Sequence, residues 1–221
     1  MPNRYRSFAA AAALLGWLAL AVQLLLSIQL TVANGQGMWV GAWTYLGYFT
    51  ITTNALVALA LTAAASGPRG VTSRFFGRPS VQTAIAMSIA IVSAIYNLLL
   101  RQLWHPQGWQ LAADVTLHDV MPALFLLYWW LAVPKTTLRW QQVVHWQMYP
   151  AAYFAYVLLR GAVNGWYPYP FLDVTTLGYL RVLIDACVVL LVFIAVALLL
   201  IALACWQVRH SARVAALSTQ P

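Results

Sequence analysis

Long apolar runs, each near the length of a bilayer crossing, alternate along this chain with short polar joints. A transmembrane helix needs about 20 consecutive, mostly apolar residues. Six stretches meet that standard, at about 8–33, 45–65, 80–101, 111–133, 141–160 and 178–207. The pattern predicts an all-α membrane protein, with six transmembrane helices in one bundle and a single domain over residues 1–221. The fifth stretch is short and carries Pro150, whereas the sixth is long enough to tilt or protrude. The first follows Arg4 and Arg6 as a signal sequence would. Its apolar run is longer than a usual signal core and five spans follow, which predicts an uncleaved anchor. Segment 66–79, punctuated by Gly67, Pro68, Gly70, Gly77 and Pro79, reads as a turn-rich joint. The first three spans show no similarity to the last three, which argues against an inverted-repeat transporter.

Composition sharpens the class. The chain is 63% hydrophobic and 7% charged, against roughly a quarter charged in soluble domains, and its mean hydropathy is +0.76. The net charge of +8 does not point to nucleic acid, because the basic residues are scattered at span ends. Arg4 and Arg6, then Arg69, Arg74 and Arg78, then Lys135 and Arg139, then Arg209 and Arg213 fall on one side of the spans. Only Arg101, Arg160 and Arg181 fall toward the other, so both termini are expected in the cytoplasm. Cys187 and Cys205 lie in one apolar run, about 27 Å apart along a helix, and are expected to pack rather than pair.

The buried polar residues fall at similar depth, in the half of the bilayer away from the termini. They are Thr50, Thr53 and Asn54; Asn97 and Arg101; Asp114, His118 and Asp119; Arg160 and Asn164; Arg181 and Asp185. Polar groups in hydrocarbon are costly and normally face a bundle interior or a wet cavity. Thr50–Asn54, Asn97–Arg101, Asp114–His118, Arg160–Asn164 and Arg181–Asp185 are all i,i+4 pairs, and such pairs share a helix face. A common inward pocket is therefore expected, although each arginine taken alone fits snorkelling to the headgroups.

His118 is the one titratable base in that layer. Pro122, four residues on, has no N–H, so the His118 carbonyl loses its helical partner. Two readings stay open at this point: a general base, or a structural histidine bonded to Asp114 or Asp185. His105, His145 and His210 are expected at interfaces or in solvent. No HExxH or Cys/His cluster is present, so no metal and no cofactor are expected. Thr50 and Thr53 offer hydroxyls that act as nucleophiles only beside a base. Residues 165–173, rich in aromatics and prolines, form a stiff cap over one end.

Trp166 with Tyr169-Pro170-Phe171-Leu172-Asp173 resembles a run in the androgen-induced and androgen-dependent six-span proteins, a family of threonine hydrolases of fatty acid esters of hydroxy fatty acids. Tyr48-Phe49-Thr50-Ile51-Thr52-Thr53-Asn54 is similar to the segment carrying the family's nucleophilic threonine, and His118 with Pro122 to its catalytic histidine. Over nearly its whole length the chain looks closer still to bacterial "Pr-six-Pr" membrane proteins. The resemblance implies a multi-pass protein of a bacterial inner membrane that hydrolyses long-chain lipid esters, with Thr50 as nucleophile and His118 as general base. The Thr50-to-Asn54 gap is one residue longer than the family's and the His118-to-Pro122 gap one shorter, which leaves Thr50 and Thr53 both as candidates.

From the residues, Asp114 is expected to orient the imidazole. Asn54, Thr53, Asn97 and Arg101 are expected to hold substrate or an oxyanion, and Arg160 and Arg181 to grip an acidic head at the rim, with Asp185 also expected among the substrate-binding residues. The expected partners are an amphiphilic lipid with an acyl chain and the surrounding membrane lipids. A lipid-binding or transport protein without catalysis is the alternative.

Overall fold

The computed structural model describes residues 3–68 and 70–218. Arg69, one of the basic residues used to orient the chain, lies outside them. The described residues form ten α-helices and no strand. These are α1 (Asn3–Ala33), α2 (Met38–Tyr45), α3 (Phe49–Ser66), α4 (Val71–Phe76), α5 (Pro79–Ile95), α6 (Gly108–Val115), α7 (Met121–Ala132), α8 (Gln142–Trp146), α9 (Met148–Asn164) and α10 (Val174–Ser218). A π-helical turn at Tyr96–Leu100 and a 3-10 turn at Arg101–Leu103 prolong α5, and a second π turn at Thr116–Val120 joins α6 to α7.

Five helical units are long and apolar enough to cross a membrane: Asn3–Ala33, Phe49–Ser66, Pro79–Leu103, Gly108–Ala132 and Val174–Val214. The stretch at 141–160 is different. It forms the five-residue α8 and the 17-residue α9, hinged at Gln147. Alone, α9 is shorter than the usual crossing length. The stretch at 45–65 also begins later than its apolar run, because α2 ends at Tyr45 and a new helix starts at Phe49.

Glycines set two of the boundaries. Gly165 (φ 69°) ends α9 in the left-handed conformation that glycine adopts without a Cβ penalty. Gly178 (φ 74°) breaks α10 near its start, at the position where the last apolar run begins.

The core lies along α3 and α5. α1 packs along α3 through Ala9, Ala12, Ala13, Gly16 and Ala19, all buried. Small residues of this kind let membrane helices approach until dispersion contacts hold them. At Gly16 a Cβ would sit 2.8 Å from Met121 Cε. Phe125, Tyr128 and Trp129 of α7 fill the centre against α5, and Trp129 Nε1 donates to Thr83 Oγ1 at 2.9 Å. Leu14 and Leu18 of α1 and Leu191 and Leu199 of α10 are exposed, as helices bathed in hydrocarbon would be. Beyond α7, the chain's one lysine folds back: Lys135 Nζ donates to the carbonyls of Trp129, Trp130 and Val133. The lysine shares these carbonyls of the helix end, since Trp129 O also accepts from the Val133 amide and Trp130 O from Gln207 Nε2.

Candidate functional site

The second π turn builds the site. Inside it, Met121 N–H bonds to the Thr116 carbonyl five residues back. The Leu117 carbonyl, which an α-helix would have paired with Met121, is thereby freed. Asn54 Nδ2 takes it at 3.0 Å and also donates to the Thr50 carbonyl at 2.9 Å. Wide turns of this kind are concentrated at functional positions. Here the turn locks the face of α3 that carries Thr50 to the segment that carries His118.

Thr50 Oγ1 lies 3.3 Å from His118 Nε2. The other ring nitrogen, Nδ1, lies 2.9 Å from the Asp114 main-chain carbonyl and 3.2 Å from the Asp114 carboxylate. Both neighbours of Nδ1 are acceptors, so Nδ1 carries the ring proton. Nε2 is then bare and able to accept the threonine proton. Tyr96 stacks on the imidazole, with centroids 3.7 Å apart and planes 16° apart. The Tyr96 hydroxyl donates to Asp114 Oδ2 and accepts from Trp104 Nε1 at 3.3 Å. The imidazole is thus held by a carbonyl, a carboxylate and a ring face, and Asp114 is 5% exposed.

Two cavities meet at this pair. One, of about 260 Å³, is walled almost wholly by apolar groups of α5, α9, α10 and the 165–173 loop, among them Ile91, Ile95, Phe154, Phe171 and Phe193. The other, of about 360 Å³, runs toward Gln23, Trp104 and Gln110 and has Asp114 and His118 in its wall. Thr50, Tyr96, Leu100 and Tyr169 border both.

The remaining expected site residues do not join this centre. Thr53 is fully buried, and its hydroxyl bonds to Tyr149 Oη at 2.9 Å rather than to His118. Thr52 shares the same tyrosine at 2.8 Å. Asn54 spends both contacts of its amide nitrogen on main-chain carbonyls, so it ties helices together and offers no hydrogen to a substrate. Asn97 and Arg101 turn outward and bond to Asp119, because the first π turn directs Tyr96, not Asn97, into the bundle. Arg181 and Asp185 pair with each other on α10, where the Arg181 side chain is 65% exposed. Neither borders either of the two cavities described above.

Arg160 is 6% exposed and is sandwiched between the rings of Trp43 and Trp166, at 4.7 and 4.4 Å. Its Nη1 donates to Tyr156 Oη at 3.1 Å. Its i,i+4 neighbour Asn164 instead accepts from Trp166 N–H at 3.1 Å. This cage helps pin the 165–173 loop. The loop is also seated at Gly161, where a Cβ would lie 2.1 Å from the Tyr167 ring. Asp173 closes the loop, bonded by the Thr175 amide and hydroxyl, which hold its carboxyl below the usual range.

Tyr96, Trp104, Tyr149 and Tyr169 surround the site and were not among the expected residues. Tyr169 alone had a signal, its place in the aromatic loop. The chain matches no protein-family model, no curated protein and no solved structure.

Proposed function

We propose that this protein is an intramembrane hydrolase of long-chain lipid esters, related to the androgen-induced and androgen-dependent six-span proteins and to bacterial Pr-six-Pr membrane proteins. It sits in a bacterial inner membrane with both termini cytoplasmic. The sixth crossing is α8 and α9 taken together, which span residues 142–164, roughly 34 Å at 1.5 Å per residue. The observation that carries the reading is the Thr50–His118–Asp114 relay at the junction of two cavities. A hydroxyl needs an adjacent base to attack at neutral pH, and this hydroxyl has one whose tautomer is fixed in the accepting form.

In the reaction, an acyl chain lies in the apolar cavity and the alcohol portion of the ester lies in the wetter one, which places the ester carbonyl at Thr50. Thr50 Oγ attacks the carbonyl carbon as His118 Nε2 takes its proton. The tetrahedral intermediate expels the alcohol, which leaves with that proton. Water, activated by the same imidazole, then releases the fatty acid from Thr50. Asp114 stabilises the imidazolium that forms in each half-reaction.

The relay favours this reading over lipid binding or transport without catalysis, which needs the cavities but no paired hydroxyl and base. The test is purified protein in detergent with a long-chain fluorogenic ester and a fluorophosphonate probe. His118→Ala and Thr50→Ala should each lose about 10²–10⁴-fold of the rate, the usual general-base share, and Thr50→Ala should lose labelling. No cleavage and no labelling of the wild type would leave the binding reading in its place. Reporter fusions after Pro79, Arg139 and Arg213 should read cytoplasmic, and a periplasmic signal from any of them would reverse the orientation.

A further inference from the structure

We infer that Tyr169 is a further catalytic residue, the donor that stabilises the oxyanion formed when Thr50 attacks an ester. This rests on the hydrolase reading above and assigns a role to the loop motif which that reading leaves idle.

The relay by itself lacks a partner for the negative charge that develops on the carbonyl oxygen. Preorganised donors at that point are commonly the largest single contribution to acyl transfer. The other polar side chains near Thr50 are already spent. Asn54 bonds two carbonyls, Tyr96 donates to Asp114, and Tyr153 donates to the Gly47 carbonyl at 2.8 Å.

Tyr169 is different. Its hydroxyl accepts from the Phe49 amide at 3.1 Å, a contact that uses an oxygen lone pair and leaves the O–H to donate. That hydroxyl is fixed at the residue preceding the nucleophile, and Tyr169 borders both cavities together with Thr50. The amide and hydroxyl of Thr50 lie against the same Tyr169 oxygen. An ester carbonyl over Thr50 therefore meets the Tyr169 O–H, which the contacts from the Phe49 and Thr50 amides leave to donate.

The ring is held for this task. It stacks on Phe171, with centroids 5.3 Å apart and planes 5° apart, and meets Tyr48 edge-on at 6.0 Å. The loop that carries it is pinned by the Arg160 cage at one end and by buried Leu172 at the other. The electron balance is simple. The carbonyl π pair moves onto oxygen as the Thr50 Oγ–C bond forms, the Tyr169 O–H hydrogen bond to that oxygen strengthens, and no proton leaves the tyrosine. Collapse of the intermediate returns the pair and expels the alcohol.

The test uses full-length protein in detergent, with Tyr169→Phe, which removes the hydroxyl and keeps the ring. Three probes are read: cleavage of 4-methylumbelliferyl oleate, inhibition by a long-chain trifluoromethyl ketone that adds to Thr50 as an alkoxide, and inhibition by the matching non-cleavable oleyl ether. Tyr169→Phe should lower kcat about 10²–10³-fold and weaken the ketone to a similar degree. Ether binding should stay within about twofold. Both inhibition constants are independent of the folded fraction, so a less stable variant still reports. A kcat within about threefold of wild type, or an ether weakened as much as the ketone, overturns the oxyanion role while leaving the hydrolase reading intact. A wild type that neither cleaves the ester in a His118-dependent way nor binds the ketone overturns both.

Discussion

Asp114→Asn separates two jobs that a carboxylate beside a histidine can do. In a relay where the carboxylate alone sets the tautomer, that exchange costs about 10⁴-fold in kcat, because the ring turns its proton to the wrong nitrogen. Here the main-chain carbonyl of Asp114, 2.9 Å from Nδ1, keeps the tautomer whatever the side chain is. What the exchange removes is the charge 3.2 Å from the ring. A full charge pair at that spacing interacts by about 5 kcal/mol at an effective dielectric of about 20. Partial charge transfer in the transition state and the remaining amide dipole reduce this to roughly 1–3 kcal/mol, or about 5–160-fold. The amide can still accept from the Tyr96 hydroxyl, so the fold should survive. The assay is kcat for long-chain ester cleavage by the wild type, Asp114→Asn and His118→Ala, side by side. An Asn variant as inactive as His118→Ala would show that the carbonyl does not hold the tautomer. One with full kcat would show that the carboxylate takes no part.

Thr53→Ala and Thr52→Ala should keep kcat within about threefold, since both hydroxyls bond to Tyr149 and neither reaches His118. Loss on the scale of the general-base share in Thr53→Ala would move the nucleophile. Gly161→Ala sets a methyl 2.1 Å from the Tyr167 ring and should lower stability by about 1–3 kcal/mol, the usual cost of overpacking. Thermal melts in detergent read that loss, and an unchanged melt would mean the loop is not seated there. Burial pushes the Lys135 ammonium down to about 8 from 10.5. Between those values the unfolded chain binds more protons than the folded one, so stability should rise with pH from about 8 to about 10.5. Denaturant titrations across that range should show the slope in the wild type and lose it in Lys135→Met; a flat wild type would refute the burial argument.

The Thr50–His118 contact was partly legible: depth brings the two level and Pro122 marks a disturbed turn beside the histidine, but depth serves Thr53 as well, and only the family resemblance singled out Thr50. The rest of the polar layer was not legible. Spacing of four residues puts a pair on one face but does not say where that face points: Asn97 and Arg101 still share Asp119, and Asp114 still meets His118, although π turns run through both segments. The first π turn carries Asn97 and Arg101 outward and Tyr96 inward. Arg181 and Asp185 satisfy each other on an exposed face, which spacing cannot distinguish from an inward pair. The tyrosines that complete the site were hidden by their own abundance, since Tyr and Trp crowd any membrane interface. The broken fifth stretch, with its hinge at Gln147, leaves no mark in hydropathy.

The π turn at Thr116–Val120 also has a consequence for descent. One surplus residue in a helix rotates everything beyond it by about 100° and lengthens it by about 1.5 Å. Removing a single residue from Thr116–Val120 would rewind the segment as ordinary α-helix, swing the α6 end relative to α7, and return the Leu117 carbonyl to its own helix. Asn54 would lose its anchor and the base its address. A relative that lacks the Thr50–His118 contact should therefore align with a one-residue gap at this turn, while keeping every apolar run intact. In this chain the meeting of Thr50 with His118 depends on one surplus residue in that turn.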